Sequence, residues 1–497
     1  MMISLMRRRA GILSALVASV LLAGCNAGTE EPAAVSVLEN CSPRNGPVDA
    51  MCATIEVFED RAAGSGRKIG LKVVVFPAYQ RDPDPDPLFV LVGGPGQAAA
   101  AMSETLMRFF EGVQETRDVV FVDQRGTGDS NPLTCSFDED DLSALSRVKF
   151  PIEDLKACLD GFDADTRFYT TPVAMDDLNQ VREELAYGKI NLWGASYGTR
   201  AALVYLRRHG ETVRSVVLDG VAPPGMRLPL AFPAAGQRAL DLMLKSCEAD
   251  AECNMRFPEI RSRFERLWAR LDAAPRKVTL RHARTGEEAE VTLRRELVSG
   301  ILMGALYSPE LSALLPLLIE RAEEDDFQGF MALVSLNENV QAQMSLGMFF
   351  SVLCAEDLPW IGKAEAEEAA AGTFLGTAAY TAWTEACEVW PAANMDEAYH
   401  DSVESDVPVL VLSGELDPVT PPHWGDQAAG TLPNSRHVVV PGIGHGTTPM
   451  GCVPNLIAEF IDEGTAEDLD ASCVERHSRP PFFLTNAGPV AEAEAEE

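Results

Sequence analysis

The chain has 497 residues, long enough to bury a large core and, by length alone, to hold more than one structural unit. With 46% hydrophobic and 23% charged residues it has a globular balance and not a disordered one. Its 41 basic and 75 acidic residues give a net charge of −34, which excludes the basic footprint that nucleic-acid binding requires.

The N-terminus reads as an address. Arg7-Arg8-Arg9 precede an apolar run over 12–23 that is too short to span a bilayer comfortably, and the run ends Leu22-Ala23-Gly24-Cys25. Small residues before a cysteine resemble a bacterial lipoprotein processing box. Residues 1–24 are therefore expected to be a lipoprotein-type signal peptide, Cys25 the lipidated residue, and 25–40 a spacer. The expected location is the cell envelope, facing the periplasm or the surface, or else secretion. Membrane contact would come only through that cysteine. The oligomeric state is left open. Setting Cys25 aside leaves ten of the 11 cysteines, an even number that in an oxidising compartment predicts disulfides. Many connectivities are possible. Nearest-neighbour pairing is the simplest: Cys41 with Cys52, Cys135 with Cys158, Cys247 with Cys253, Cys354 with Cys387 and Cys452 with Cys473. No C-x2-C or H-x3-H cluster favours a metal instead, and no cofactor is implied.

Residues 53–57 and 69–76 predict an opening hairpin. Short apolar runs follow at 88–92, 119–123, 190–193 and 213–219, each closed by a glycine-containing turn, and two more lie at 407–413 and 437–440. Continuous apolar strands separated by helices predict a mostly parallel sheet covered on both faces. The spacing breaks between Asp219 and Val407, where helical patterns at 239–247, 260–271, 295–306 and 311–324 predominate, with a possible small hairpin at 276–280 and 289–293. The expectation is an α/β fold in two parts, 41–225 and 401–480, with a mainly helical lid inserted at 226–400 and an acidic tail over 481–497.

Chemistry concentrates at the strand ends. Gly194-Ala195-Ser196-Tyr197-Gly198 lies between a predicted strand and a helical run over 199–208, the context a G-x-S-x-G nucleophile elbow requires. A serine hydroxyl needs a base, and of seven histidines His445, in Gly442-Ile443-Gly444-His445-Gly446, follows the last predicted strand. An imidazole base needs a carboxylate. Asp417 follows the strand at 407–413, with Asp219 as runner-up and Glu415 behind it. The oxyanion needs amides, and Gly94 in Gly93-Gly94-Pro95-Gly96 and Tyr197 after the nucleophile are the expected donors.

These motifs, with Asp123-Gln124-Arg125-Gly126-Thr127-Gly128-Asp129-Ser130, resemble the prolyl and tripeptidyl aminopeptidase group of α/β-hydrolases, over nearly all of 50–475. Val92, where proline-specific relatives carry histidine before the Gly-Gly-Pro-Gly turn, and the extra cysteines are more similar to the secreted tripeptidyl branch. The resemblance implies an α/β-hydrolase fold with a helical lid, and a serine peptidase that releases short fragments from free amino termini through an acyl-enzyme. Such an enzyme must offer the substrate ammonium a carboxylate, for desolvating a cation without one costs several kcal/mol, roughly. Glu356 and Asp357, where the insertion turns back toward the sheet, are the candidates, with solvated surface carboxylates as the plain alternative. An esterase or amidase on the same machinery, or a non-catalytic envelope binding module, are the competing functions.

Overall fold

The computed structural model describes residues 37–42, 49–135, 150–281, 286–341 and 344–490. The expected signal segment, Cys25 and the last seven residues of the acidic tail lie outside the described residues. Eleven strands are seen among them: β1 (Glu39–Cys41), β2 (Ala50–Phe58), β3 (Lys68–Phe76), β4 (Leu88–Leu91), β5 (Val119–Val122), β6 (Ile190–Ala195), β7 (Val213–Asp219), β8 (Arg276–Arg281), β9 (Glu288–Leu293), β10 (Val409–Gly414) and β11 (Ser435–Val440). Nine of these form one sheet in the order β1-β2-β3-β5-β4-β6-β7-β10-β11. The first three are antiparallel, β3 meets β5 antiparallel, and the ladder from β5 to β11 is parallel throughout.

Helices α1 (Ala99–Met107), α2 (Thr171–Glu184) and α3 (Tyr197–His209) connect strands. Helices α4 (Phe232–Ala249), α5 (Ile260–Ala273), α6 (Arg295–Leu306) and α7 (Leu315–Glu323) fall between β7 and β10, and α8 (Val453–Glu463) follows β11. Alternation along the parallel strands decides which helices cover which face. Leu91, Val120, Leu192, Leu218 and Val411 pack with Leu178 and Val181 of α2 and Leu203 and Leu206 of α3. Their neighbours Val90, Phe121, Trp193, Val217 and Leu412 pack with Met107 of α1 and Ile457 and Phe460 of α8. Both faces are therefore apolar, which is why LFVL in β4 and VVFV in β5 contain no polar residue. Each such buried side chain contributes about 1.5–3 kcal/mol.

The insertion has a core of its own, with Leu240, Leu267, Leu302, Leu318 and Phe374 at its centre, and the β8–β9 hairpin is present as a separate two-stranded sheet. The pattern at 311–324 is not one helix. It divides into Pro309–Ser312 and Leu315–Glu323, because Pro316 lacks an N–H and is tolerated only in a first helical turn. The tail also begins later than residue 481. Phe482 and Leu484 are buried against the insertion core, and the Phe483 amide donates to the Ala313 carbonyl at 3.1 Å.

Candidate active site

Ser196 stands between β6 and α3 with φ 56° and ψ −124°, a left-handed backbone rarely taken by a side-chain-bearing residue. The turn is tight enough to dictate its flanks. A Cβ on Gly194 would lie 2.3 Å from the Gly198 carbonyl oxygen, and one on Gly198 would lie 2.1 Å from the Leu91 oxygen at the end of β4. The strained serine is held by its amide, which donates to the Asp219 carbonyl at 2.9 Å.

His445 and Asp417 meet across the ends of β10 and β11. Nδ1 of His445 is 2.8 Å from Oδ2 of Asp417, and the carboxylate is fully buried. Asp417 also accepts the amides of Val419 and Thr420 at 2.8 Å each and the Thr420 hydroxyl at 2.7 Å. Burial alone would raise the Asp417 pKa, but the His445 charge and these bonds hold it below the usual carboxylate range. For His445, burial works against the imidazolium. The charge and hydrogen bond of Asp417, and then the charge of Asp219, outweigh it and hold the pKa above the ordinary imidazole value.

The insertion contributes to this corner. The His445 amide donates to the Tyr307 carbonyl at 2.9 Å, and the Tyr307 ring lies edge-on to the imidazole with centroids 5.1 Å apart. A Cβ on Gly444 would come within 2.2 Å of that same carbonyl oxygen, so the loop of His445 needs glycine there.

Gly93 lies against Ser196: a Cβ on it would be 3.1 Å from Cβ of the serine. The Gln97 side chain accepts the Gly93 amide at 2.9 Å, and the Ser345 amide from the insertion donates to the Gly96 carbonyl at 2.9 Å, bracing the turn from two sides. Among the described residues, the amides of Gly94 and Tyr197 donate to no protein acceptor and Ser196 Oγ takes part in no hydrogen bond. His445 is beside Gly220, where an added Cβ would be 3.3 Å from Cε1, so the imidazole and Ser196 flank the Asp219–Gly220 turn.

The parallel sheet, the elbow between β6 and α3, and the loops after β10 and β11 that hold Asp417 and His445 now have a counterpart in known proteins. Residues 86–256, which hold Gly94 and Ser196, match the family described as alpha/beta hydrolase fold. The chain has the α/β-hydrolase fold. Residues 373–473 of the hydrolase, which hold Asp417 and His445, match the family described as TAP-like protein. It is 24% identical over 467 residues to serine protease Hip1 of Mycobacterium tuberculosis, covering 86% of this chain and 88% of that one. It is 22% identical over 482 residues to tripeptidyl aminopeptidase of Streptomyces lividans, covering 89% and 87%. A shorter match, 30% over 140 residues, is to proline iminopeptidase of Neisseria gonorrhoeae, covering 28% of this chain and 34% of that one.

The hydrolase carries all five nearest-neighbour disulfides, Cys41–Cys52, Cys135–Cys158, Cys247–Cys253, Cys354–Cys387 and Cys452–Cys473. Five disulfides are consistent with an exported protein. Among the described residues no helix is long and apolar enough to cross a membrane.

Glu356 and Asp357 lie in a π-helical turn, Leu353–Asp357, and both are 0% exposed. Asp357 pairs with Arg200 of α3 at 2.9 Å and accepts the Leu228 amide at 3.1 Å. Glu356, 4.0 Å from the same guanidinium, accepts the Thr171 amide at 2.6 Å, the Thr171 hydroxyl at 2.8 Å and the Tyr399 hydroxyl. Burial, only partly offset by Arg200 and these donors, raises the Glu356 pKa to about 6. The two carboxylates are thus inside a cluster joining the insertion to the sheet and do not lie on the surface. The Thr171 hydroxyl is also 2.7 Å from the hydroxyl of Tyr197, linking that cluster to the residue after Ser196.

Several residues beside the site had escaped the sequence reading. Thr420 is one, although Asp417-Pro418-Val419-Thr420 has the pattern of an Asx turn, whose side chain caps the amides that follow. Glu415, considered as an acid, accepts the Gly442 amide of the His445 loop at 2.9 Å. Arg125 of the Asp-Gln-Arg-Gly motif is fully buried and forms a two-pronged pair with Asp177 of α2 at 2.6 and 2.8 Å, a scaffold role. The aromatics Phe349, Phe350 and Trp390 are buried against one another as core. A second serine–histidine–aspartate chain also exists. His437 joins Ser413 Oγ at 2.9 Å and Asp426 at 2.8 Å, but Ser413 is fully buried within β10 and has no elbow.

Proposed function

We propose that the hydrolase is a serine aminopeptidase that releases short N-terminal fragments from peptides, with Ser196 as nucleophile, His445 as base and Asp417 as its orienting acid. One observation supports this reading: the His445–Asp417 pair at 2.8 Å, its carboxylate buried, and a serine held at φ 56° on an elbow both lie against the Asp219–Gly220 turn. Ser196 Oγ attacks the scissile carbonyl as Nε2 of His445 takes its proton. The amides of Gly94 and Tyr197 receive the oxyanion. His445 then protonates the leaving amine, and water, activated by the same imidazole, releases the acyl group from Ser196. The serine–imidazole bond closes with substrate in place, as such bonds are commonly loose in unliganded enzymes.

The peptide substrate is supported by the TAP-like match and by relatives named serine protease and tripeptidyl aminopeptidase. For the amine anchor, Glu356 is favoured over Asp357. Asp357 is already neutralised by Arg200 at 2.9 Å, whereas Glu356 is held chiefly by neutral donors one residue from the elbow through Thr171. The N-terminal segment ending in Cys25 supports lipidation there and an envelope location. The unit 226–400 is read as a lid that restricts the site to chain ends.

The test is a panel of tripeptidyl, single-aminoacyl and N-acylated peptide amides and short acyl esters, with products identified by mass. Turnover of free-amine peptide amides above esters, with Glu356→Gln losing only free-amine substrates, is the expected result. Preference for esters makes it an esterase, and equal losses on free and acylated substrates remove Glu356 as anchor.

A further inference from the structure

β7 ends between the strand that carries the nucleophile and the strand that carries the acid, and its last residue, Asp219, touches the machinery on both sides. Its carbonyl accepts the Ser196 amide at 2.9 Å. Its side chain, 1% exposed, points the other way into the base loop. There it accepts the Thr447 amide at 2.9 Å and its hydroxyl at 2.9 Å, and the Thr448 amide and hydroxyl at 2.7 Å each. Thr448 is in turn held by the indole N–H of Trp193, on β6, at 3.1 Å. A carboxylate this deep is stable only because donors surround it, and all of those donors come from the two threonines that follow His445 by two and three residues.

We propose that Asp219 is the positioning residue that fixes the distance between nucleophile and base, its main chain gripping Ser196 and its side chain gripping the loop of His445. The proposal takes the Ser196–His445–Asp417 assignment above as given. Asp219 is not itself the orienting acid in this arrangement, since its oxygens are spent on Thr447 and Thr448 while Nδ1 of His445 is on Asp417. Its charge still reaches the imidazole. The groups that face His445 are Asp417 and Thr420 after β10, Tyr307 from the insertion and Asp219 from β7, and only the two aspartates are anionic.

The experiment compares Asp219→Asn with wild type by kcat, KM and the pH dependence of kcat/KM. The amide keeps the size but turns an N–H2 toward donors, so the base loop is displaced and about 30-fold or more of kcat is lost with KM little changed. Because one negative charge is removed, the acidic limb moves to lower pH, a shift that a purely structural defect would not produce. Thr447→Val with Thr448→Val cuts two of the same bonds and leaves the charge. It loses kcat by about 5-fold or more with the acidic limb in place, and it carries the test if Asp219→Asn does not fold. Wild-type kcat and an unmoved limb in Asp219→Asn, or wild-type kcat in the double threonine variant, overturn the proposal while leaving the triad standing. An inactive Asp219→Asn beside a nearly normal Asp417→Asn makes Asp219 the acid and overturns both. Undiminished turnover in Ser196→Ala overturns the triad first.

Discussion

Gly198→Ala is the substitution in which local propensity and tertiary geometry disagree most sharply. Gly198 is in the first turn of α3, where alanine would ordinarily stabilise the helix by up to about 1 kcal/mol. The structure reverses that sign. The new methyl would sit 2.1 Å from the Leu91 oxygen, 2.7 Å from the Leu91 carbonyl carbon and 2.9 Å from the Val92 oxygen, all main-chain atoms that no rotamer change can remove. An ordinary carbon–oxygen contact is about 3.3 Å, so α3 and the end of β4 must part by roughly 1 Å. That seam runs between Ser196 and the turn that carries Gly94. A misplacement of about 1 Å costs around 100-fold in rate, or about 2.7 kcal/mol of transition-state stabilisation. Overpacking of this kind also costs about 1–3 kcal/mol of stability. Initial rates on a tripeptidyl amide, well below the unfolding temperature, should show kcat/KM down by about two decades with a lowered Tm. Activity within about 3-fold of wild type would refute the argument that this glycine exists for close approach.

Other consequences follow from the same geometry. Thr420→Val keeps the shape and removes the 2.7 Å hydroxyl bond to the buried Asp417 carboxylate. Hydrogen bonds to charged groups contribute about 1.5–3 kcal/mol, so kcat should fall roughly 10- to 100-fold with KM little changed. His445 must be neutral to act as base, and Asp417 favours its charged form, so kcat/KM should decline on acidification with a midpoint above the ordinary value of 6.5. Asp417→Asn should move that midpoint down, and a wild-type midpoint below 6.5 would contradict the pairing. Replacing Cys354 and Cys387 together by serine opens a loop with a separation of 33 residues. The loss should be about 3–4 kcal/mol by the loop-entropy account, read as a Tm below that of the oxidised wild type.

The sheet was legible because both of its faces are buried: runs such as 119–122 and 409–412 have no polar member, and nothing but a covered strand explains them. The three residues proposed as nucleophile, acid and base stand out in the sequence because they lie at strand ends beside glycines that must admit another backbone, as at Gly198 against Leu91 and Gly444 against Tyr307. What the sequence concealed were contacts between segments far apart in the chain. Nothing near Glu356 announces that Thr171, 185 residues earlier, will donate its amide and hydroxyl to it. Nor does anything near Asp219 announce Thr447, 228 residues later. The break at 313–314 was missed for a different reason: apolar periodicity continues across it, and only the proline at 316 signals a new first turn. The Ser413–His437–Asp426 chain, with its serine buried in a strand, shows the converse, that three such residue types in hydrogen-bonded order can arise without an elbow.

The most direct measurement is the mass of the intact protein after exposure to a fluorophosphonate, with the adduct mapped to a residue and repeated on Ser196→Ala, His445→Ala and Ser413→Ala. A single adduct on Ser196, abolished in Ser196→Ala, slowed by orders of magnitude in His445→Ala and unchanged in Ser413→Ala, is the predicted result. An adduct on any other serine, or labelling that survives loss of the Ser196 hydroxyl, would contradict it.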